Sequence, residues 1–171
     1  DLLNKHFDLP EVQQCLLDEG TALLEYYVGD SRSYLLVITR HHAEIYSLQG
    51  RPEMESSLRG YLKSLSTPSI SPFIGLPAAE RIARELLFPL QSDSYRGIEA
   101  LIIIPDGILD SLPFETLRLN GHDGPHYLLE KFKVSYGPSS AGLCFLKQRP
   151  QSLRPAKDLL AFCASLSREQ A

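Results

Sequence analysis

Ala100-Leu101-Ile102-Ile103-Ile104-Pro105-Asp106-Gly107 is the stretch on which the fold turns. Its first five residues are apolar without interruption, too few for a helix and with no polar position to face water. A strand buried on both faces reads this way, and such strands belong to sheets covered by helices. Pro105 cannot donate to a ladder, and Asp106-Gly107 is turn chemistry, so the strand stops there.

Upstream, Pro77 to Leu87 reads as a helix with Ala79, Ile82, Ala83, Leu86 and Leu87 on one stripe, ended by Pro89. Glu80 stands four residues before Arg84, the spacing of an intrahelical ion pair. A second helix starts near Pro52, with Met54, Leu58, Tyr61, Leu62 and Leu65 forming its apolar stripe. Glu53 and Glu55 suit its positive end and Lys63 its negative end. A polar loop, Ser64 to Pro72, separates the two. Further upstream the period falls to that of strands. Ala22 to Val28, Tyr34 to Thr39 and Ala43 to Leu48 are three strands with connections short enough to require an antiparallel meander. The first twenty residues read as a helix carrying Val12, Leu16 and Leu17, with Gly20 as its stop.

Downstream, Phe132-Lys133-Val134-Ser135-Tyr136 alternates with period two, as a half-buried or edge strand does. Ser139 or Ser140 caps a helix running through Leu146. After a Pro/Arg linker, Leu159-Leu160-Ala161-Phe162-Cys163 is a further apolar strand. Helices alternating with apolar strands predict an α/β domain whose mostly parallel sheet is covered by helices, with an antiparallel meander added at the N-terminus. A helix plus antiparallel strands occupies 1–50 and the α/β part 51–171.

The 171 residues are 43% hydrophobic and 22% charged, enough apolar material for one domain core. A net charge of −4 argues against a nucleic-acid binder. No run approaches the roughly 18 apolar residues of a membrane span, and no signal peptide is visible. The lack of an initiator Met points to a piece of a longer protein or a processed one. Cys15, Cys144 and Cys163 are an odd number without a pairing pattern, which fits a reducing, cytoplasmic compartment.

Chemistry-bearing constellations are sparse. Gly137-Pro138-Ser139-Ser140-Ala141-Gly142 misses the G-x-S-x-G elbow and reads as a turn with a helix cap. Cys144 and Cys163 fall in apolar elements, where a free cysteine behaves as a small hydrophobe. His41 and His42 lie in a hairpin turn and are expected to be exposed. His122, Asp123 and His126 are candidate metal ligands in one loop, without the cysteine or helical pair that would make the signal specific. No C-x-x-C, G-x-G-x-x-G or G-K-[ST] run occurs, so no cofactor is expected. Asp106, Asp110 and Glu115 follow a buried strand, where ligands of open α/β sheets gather, but turn and helix-start roles account for them better. Lys131, Lys133, Lys147, Arg149, Arg154 and Lys157 form a basic stretch without an acidic residue, read as a solvated face.

The run Ile104-Pro105-Asp106-Gly107-Ile108-Leu109-Asp110-Ser111-Leu112-Pro113-Phe114-Glu115-Thr116-Leu117, followed by Val134-Ser135-Tyr136-Gly137-Pro138-Ser139, resembles the CHAT family, caspase-like domains commonly attached to tetratricopeptide repeats. Leu16 to Asp30 resembles the start of such a domain and Asp158 to Ala164 a later strand. The resemblance implies a caspase-like, three-layer α/β/α fold. It also implies cysteine peptidase chemistry, in which a histidine of a His-Gly step activates a cysteine of an Ala-Cys or Ser-Cys step. Here no histidine precedes Gly, Cys144 follows Leu143 and Cys163 follows Phe162. No catalytic residue therefore transfers. Asp106, Gly107, Leu112, Pro113, Phe114, Glu115, Tyr136, Pro138 and Ser139 are family markers that shape the floor of the site.

The leading expectation is the N-terminal portion of one CHAT-like domain, without its catalytic part and inactive alone. Its implied partners are the rest of its own domain, tetratricopeptide repeats, and a protein substrate or regulator, with no nucleic acid and no membrane. The alternative is a non-catalytic interaction module of a repeat protein. A sheet interrupted early leaves an unpaired edge, so self-association is also expected.

Overall fold

The computed structural model describes residues 7–66, 76–121 and 124–148. Its strands are β1 (Thr21–Tyr27), β2 (Ser33–Ile38), β3 (Ala43–Leu48), β4 (Ala100–Ile104), β5 (Arg118–Gly121), β6 (Gly124–Tyr127) and β7 (Lys133–Tyr136). The helices are α1 (Leu9–Leu16), α2 (Arg51–Ser66), α3 (Leu76–Leu86), α4 (Leu128–Lys131) and α5 (Ser140–Gln148), joined by several single 3-10 turns. The main sheet has the order β3-β2-β1-β4-β7. β4 lies between β1 and β7 and runs parallel to both, Leu24 opposite Ile103 on one side and Ile103 opposite Tyr136 on the other. The meander β1-β2-β3 is antiparallel, as the short connections require. Among the described strands of this sheet, only β2 runs against the rest.

Alternation along each strand divides the apolar residues between two cores. Leu24, Tyr26, Leu35, Val37, Leu101 and Ile103 face α2 and α3, which contribute Met54, Leu58, Tyr61, Ala79, Ile82, Ala83 and Leu86. Leu23, Ile38 and Ile104 face the other way, under Val12 of α1 and Cys144 of α5. Helix layers on both faces make the domain a three-layer α/β/α sandwich.

Several local expectations are corrected. α1 stops at Leu16, not at Gly20, because Leu17 is already extended and the Asp18 carboxylate draws the chain into a turn, accepting from Gly20 N at 3.1 Å and Thr21 Oγ1 at 2.6 Å. Its start is fixed by a capping box between Asp8 and Glu11. Leu65 lies outside the α2 stripe and is 46% exposed. Glu80 does not use Arg84 as its partner: the Arg118 guanidinium reaches it from β5 at 3.1 Å. The β5–β6 pair was not foreseen. Ser139 is the cap of α5, its Oγ accepting from Gly142 N at 3.0 Å, and the helix runs on to Gln148. The expected strand at 158–164 lies outside the described residues. No helix among the described residues is long and apolar enough to cross a membrane.

Candidate functional site

Because β1, β4 and β7 are parallel, their carboxyl ends meet at one rim of the sheet, the place where open α/β domains bind ligands. The residues after β4 build this rim. Asp106 reaches sideways, and its Oδ2 accepts from Val28 N, just past β1, at 2.7 Å. Gly107 turns the chain with φ +59, a left-handed conformation that side-chain-bearing residues adopt with strain. The following 3-10 turn, Gly107–Ser111, drops Leu109 into the core. A second single turn, Phe114–Thr116, is all that forms of the helix start expected at Pro113.

Phe114 is fully buried, with ring centroids 5.5 Å from Tyr26 and 6.3 Å from Tyr136. Tyr136, from the end of β7, completes the rim. Its hydroxyl accepts from Phe114 N at 3.0 Å and donates to Glu115 Oε2 at 2.7 Å. Gly137 N donates to Ile103 O at 3.0 Å, which holds the β7 exit against β4. A side chain at Gly137 would press on Leu143 of α5. The motif residues Asp106, Gly107, Leu112, Phe114, Glu115 and Tyr136 thus converge on the ends of three strands. Pro138 is exposed on the way to α5, and Ser139 caps that helix.

Two of the rim carboxylates are taken up in the framework itself. Asp106 serves Val28 and Glu115 serves Tyr136. Asp110 is exposed. The carboxylate of Asp106 removes the need for water at a half-buried amide, so Asp106→Ala is expected to lower the unfolding free energy by about 1–3 kcal/mol. Urea denaturation checks this; Asp106→Asn, which keeps an acceptor, should lose less.

Arg51 was not foreseen as a rim residue. It donates to Val28 O at 3.0 Å and to Asp30 Oδ1 at 3.1 Å, clasping the β1 exit to the start of α2. The signal was present: a cation at a helix N-terminus opposes the helix dipole and calls for an acceptor outside the helix.

Burial raises Tyr136 above the usual tyrosine range, with help from the Glu115 carboxylate. Burial also raises Tyr26, whose hydroxyl donates to Leu86 O at 2.9 Å. Tyr95 is raised by burial and by Tyr46. Each stays neutral in the fold above pH 10.0, the value at which the unfolded tyrosines ionise. Stability is therefore complete below that pH and is lost as the pH climbs above it. Thermal midpoints should fall on the alkaline side while absorbance at the tyrosinate band lags behind that of the unfolded chain.

The histidines and cysteines lie elsewhere. His41 pairs with Glu19 at 2.9 Å, and His126 Nδ1 is 3.9 Å from Glu130 Oε2. His41 and His42 are exposed at the β2–β3 turn, as expected. Cys144 is buried inside α5, and burial pushes its thiol up to about 12, the opposite of an activated nucleophile. No group of residues that would hold a metal occurs among the described residues. His122 and Asp123 lie outside them.

A sheet of this order between two helical layers, with its parallel strand ends tied into a rim, defines an α/β domain of the caspase-like kind. The chain belongs to the CHAT domain family, whose model matches residues 76–170. That match takes in α3, β4, the rim, β7 and α5. No curated protein matches the chain.

Proposed function

We propose that this chain is the N-terminal part of a caspase-like cysteine peptidase domain and is inert by itself. The observation that carries the reading is the rim: CHAT motif residues meet at the strand ends, yet the Asp106 carboxylate is taken up by Val28 N and that of Glu115 by the Tyr136 hydroxyl. Peptide hydrolysis by a thiol needs a base beside it and amides around the oxyanion. The sequence contains neither a His-Gly step nor a small residue before a cysteine. On this reading the framework positions a histidine and a cysteine supplied by further strands. Its partners are then the rest of the domain, a protein substrate or regulator, and tetratricopeptide repeats. The unpaired Cys15 and Cys144 suit a reducing, cytoplasmic setting.

The test is to extend the reading frame past Ala171. A continuation carrying His-Gly and Ala-Cys or Ser-Cys steps, and gaining thiol-dependent peptide hydrolysis, supports the proposal. A continuation without them defeats it. A second reading, an interaction module without catalysis, is favoured by apolar side chains on the sheet face beyond α1. Tyr27, Tyr34 and Ile45 are 64%, 40% and 70% exposed there. A frame that stops at Ala171 selects this second reading.

A further inference from the structure

The α1–α5 layer contains a feature that the rim does not use. Cys15, in the last turn of α1, points at α5, and its thiol donates to the Cys144 carbonyl with Sγ 3.8 Å from the oxygen. Cys144 belongs to the buried cluster of Val12, Leu17, Leu23, Ile38 and Ile104, and Cys15 packs against that cluster from its edge. Both are free thiols; Cys15 is partly exposed and Cys144 buried. The two thiols also interact with each other through a side-chain hydrogen bond, one reached by solvent and the other not.

We propose that Cys15 and Cys144 are a disulfide-forming pair, oxidised by a low-molecular-weight disulfide such as that of glutathione, and that the bond locks α1 onto α5. The thiolate of Cys15 attacks one sulfur of the small disulfide. That S–S bond breaks, a mixed disulfide forms at Cys15, and one small thiolate leaves. Cys144, after giving its proton to solvent, attacks Cys15 Sγ, and the second small thiolate leaves. Two protein thiols are oxidised, the small disulfide is reduced, and the released protons end on its two thiols. Burial and the neighbouring Cys15 thiol raise the pKa of Cys144 to about 12. Ring closure is thus the slow step, and it accelerates roughly tenfold per pH unit near neutrality. The bond acts as a lock that forms under sustained oxidation.

The two cysteines are 129 positions apart, and α1 lies outside the family match while α5 lies inside it. A cross-link closing so long a loop restrains the unfolded chain strongly, and it is expected to raise the thermal midpoint by roughly 10 °C.

The experiment treats the 171-residue chain with glutathione disulfide, blocks free thiols by alkylation and maps tryptic peptides by mass. The expected product is the Cys15 peptide joined to the Cys144 peptide, lighter by the two thiol hydrogens, with a raised midpoint that dithiothreitol reverses. Cys15→Ser should abolish both effects, since this partly exposed position tolerates the change, and Cys163→Ser should leave both intact. The proposal is overturned if the folded chain yields only glutathione adducts or links to Cys163. A Cys15–Cys144 link that leaves the midpoint unchanged or lowers it also overturns the lock.

Discussion

Phe114→Ala is expected to lower the unfolding free energy by about 3–5 kcal/mol, among the largest losses of any single truncation in this domain. Three features of the site place it at the upper end. The ring is fully buried, so its removal forfeits the whole transfer term. Its neighbours come from separate elements, Tyr26 of β1 and Tyr136 of β7, so no single segment can move in to fill the void. The backbone at this residue also donates to the Tyr136 hydroxyl, so relaxation around the cavity disturbs the link to Glu115. Urea denaturation monitored by circular dichroism measures the loss, with an unchanged slope showing that the unfolded state is not altered. A loss under about 1 kcal/mol would mean that the rim does not depend on this ring.

Ile103→Ala is expected to cost about 2–5 kcal/mol. Ile103 is fully buried in the interior strand β4, between Leu24 of β1 and the β7 residue Tyr136. It faces the larger of the two cores, where the surrounding side chains come from α2, α3 and the rim turns. Ile45→Ala removes the same atoms from a position that is 70% exposed, and should change stability by no more than about 0.5 kcal/mol. Measuring the pair separates burial from residue type. Equal losses would contradict the placement of β4 in the sheet interior, between β1 and β7.

What could be read in advance follows from how far apart the interacting residues are. The interior strand β4 was legible at Ala100–Ile104 because a strand covered on both faces has no polar position. The α3 stripe was legible because one helix face carries the whole signal, and Ala79, Ile82, Ala83, Leu86 and Leu87 are all buried. Asp106-Gly107 was legible as a turn, and Gly107 adopts the left-handed conformation such a turn uses. The carboxylate's partner was not, since Val28 lies 78 positions away.

The same limit applies elsewhere. Glu80 and Arg84 have the right spacing for a pair, but spacing cannot reveal that Arg118 approaches from another strand and claims the carboxylate. The β5–β6 hairpin was missed because its strands have four residues each and contain Asn120, Gly121, Gly124 and Pro125, which read as loop. It is held by Arg118, which also donates to Pro125 O at 3.1 Å and lies over the Tyr127 ring. Tyr136 was assigned to a strand from alternation. Its role as the link between Phe114 and Glu115 depends on β7 lying next to β4, a pairing that local sequence does not encode.

As proposed above, these residues frame a peptidase site without carrying its chemistry. Peptide hydrolysis by the 171-residue chain, measured against a fluorogenic peptide mixture with and without a thiol-alkylating reagent, tests it most directly. The expected result is turnover at the background rate, unaffected by alkylation. Turnover that alkylation abolishes, and that is lost in Cys144→Ala or Cys163→Ala, would contradict it.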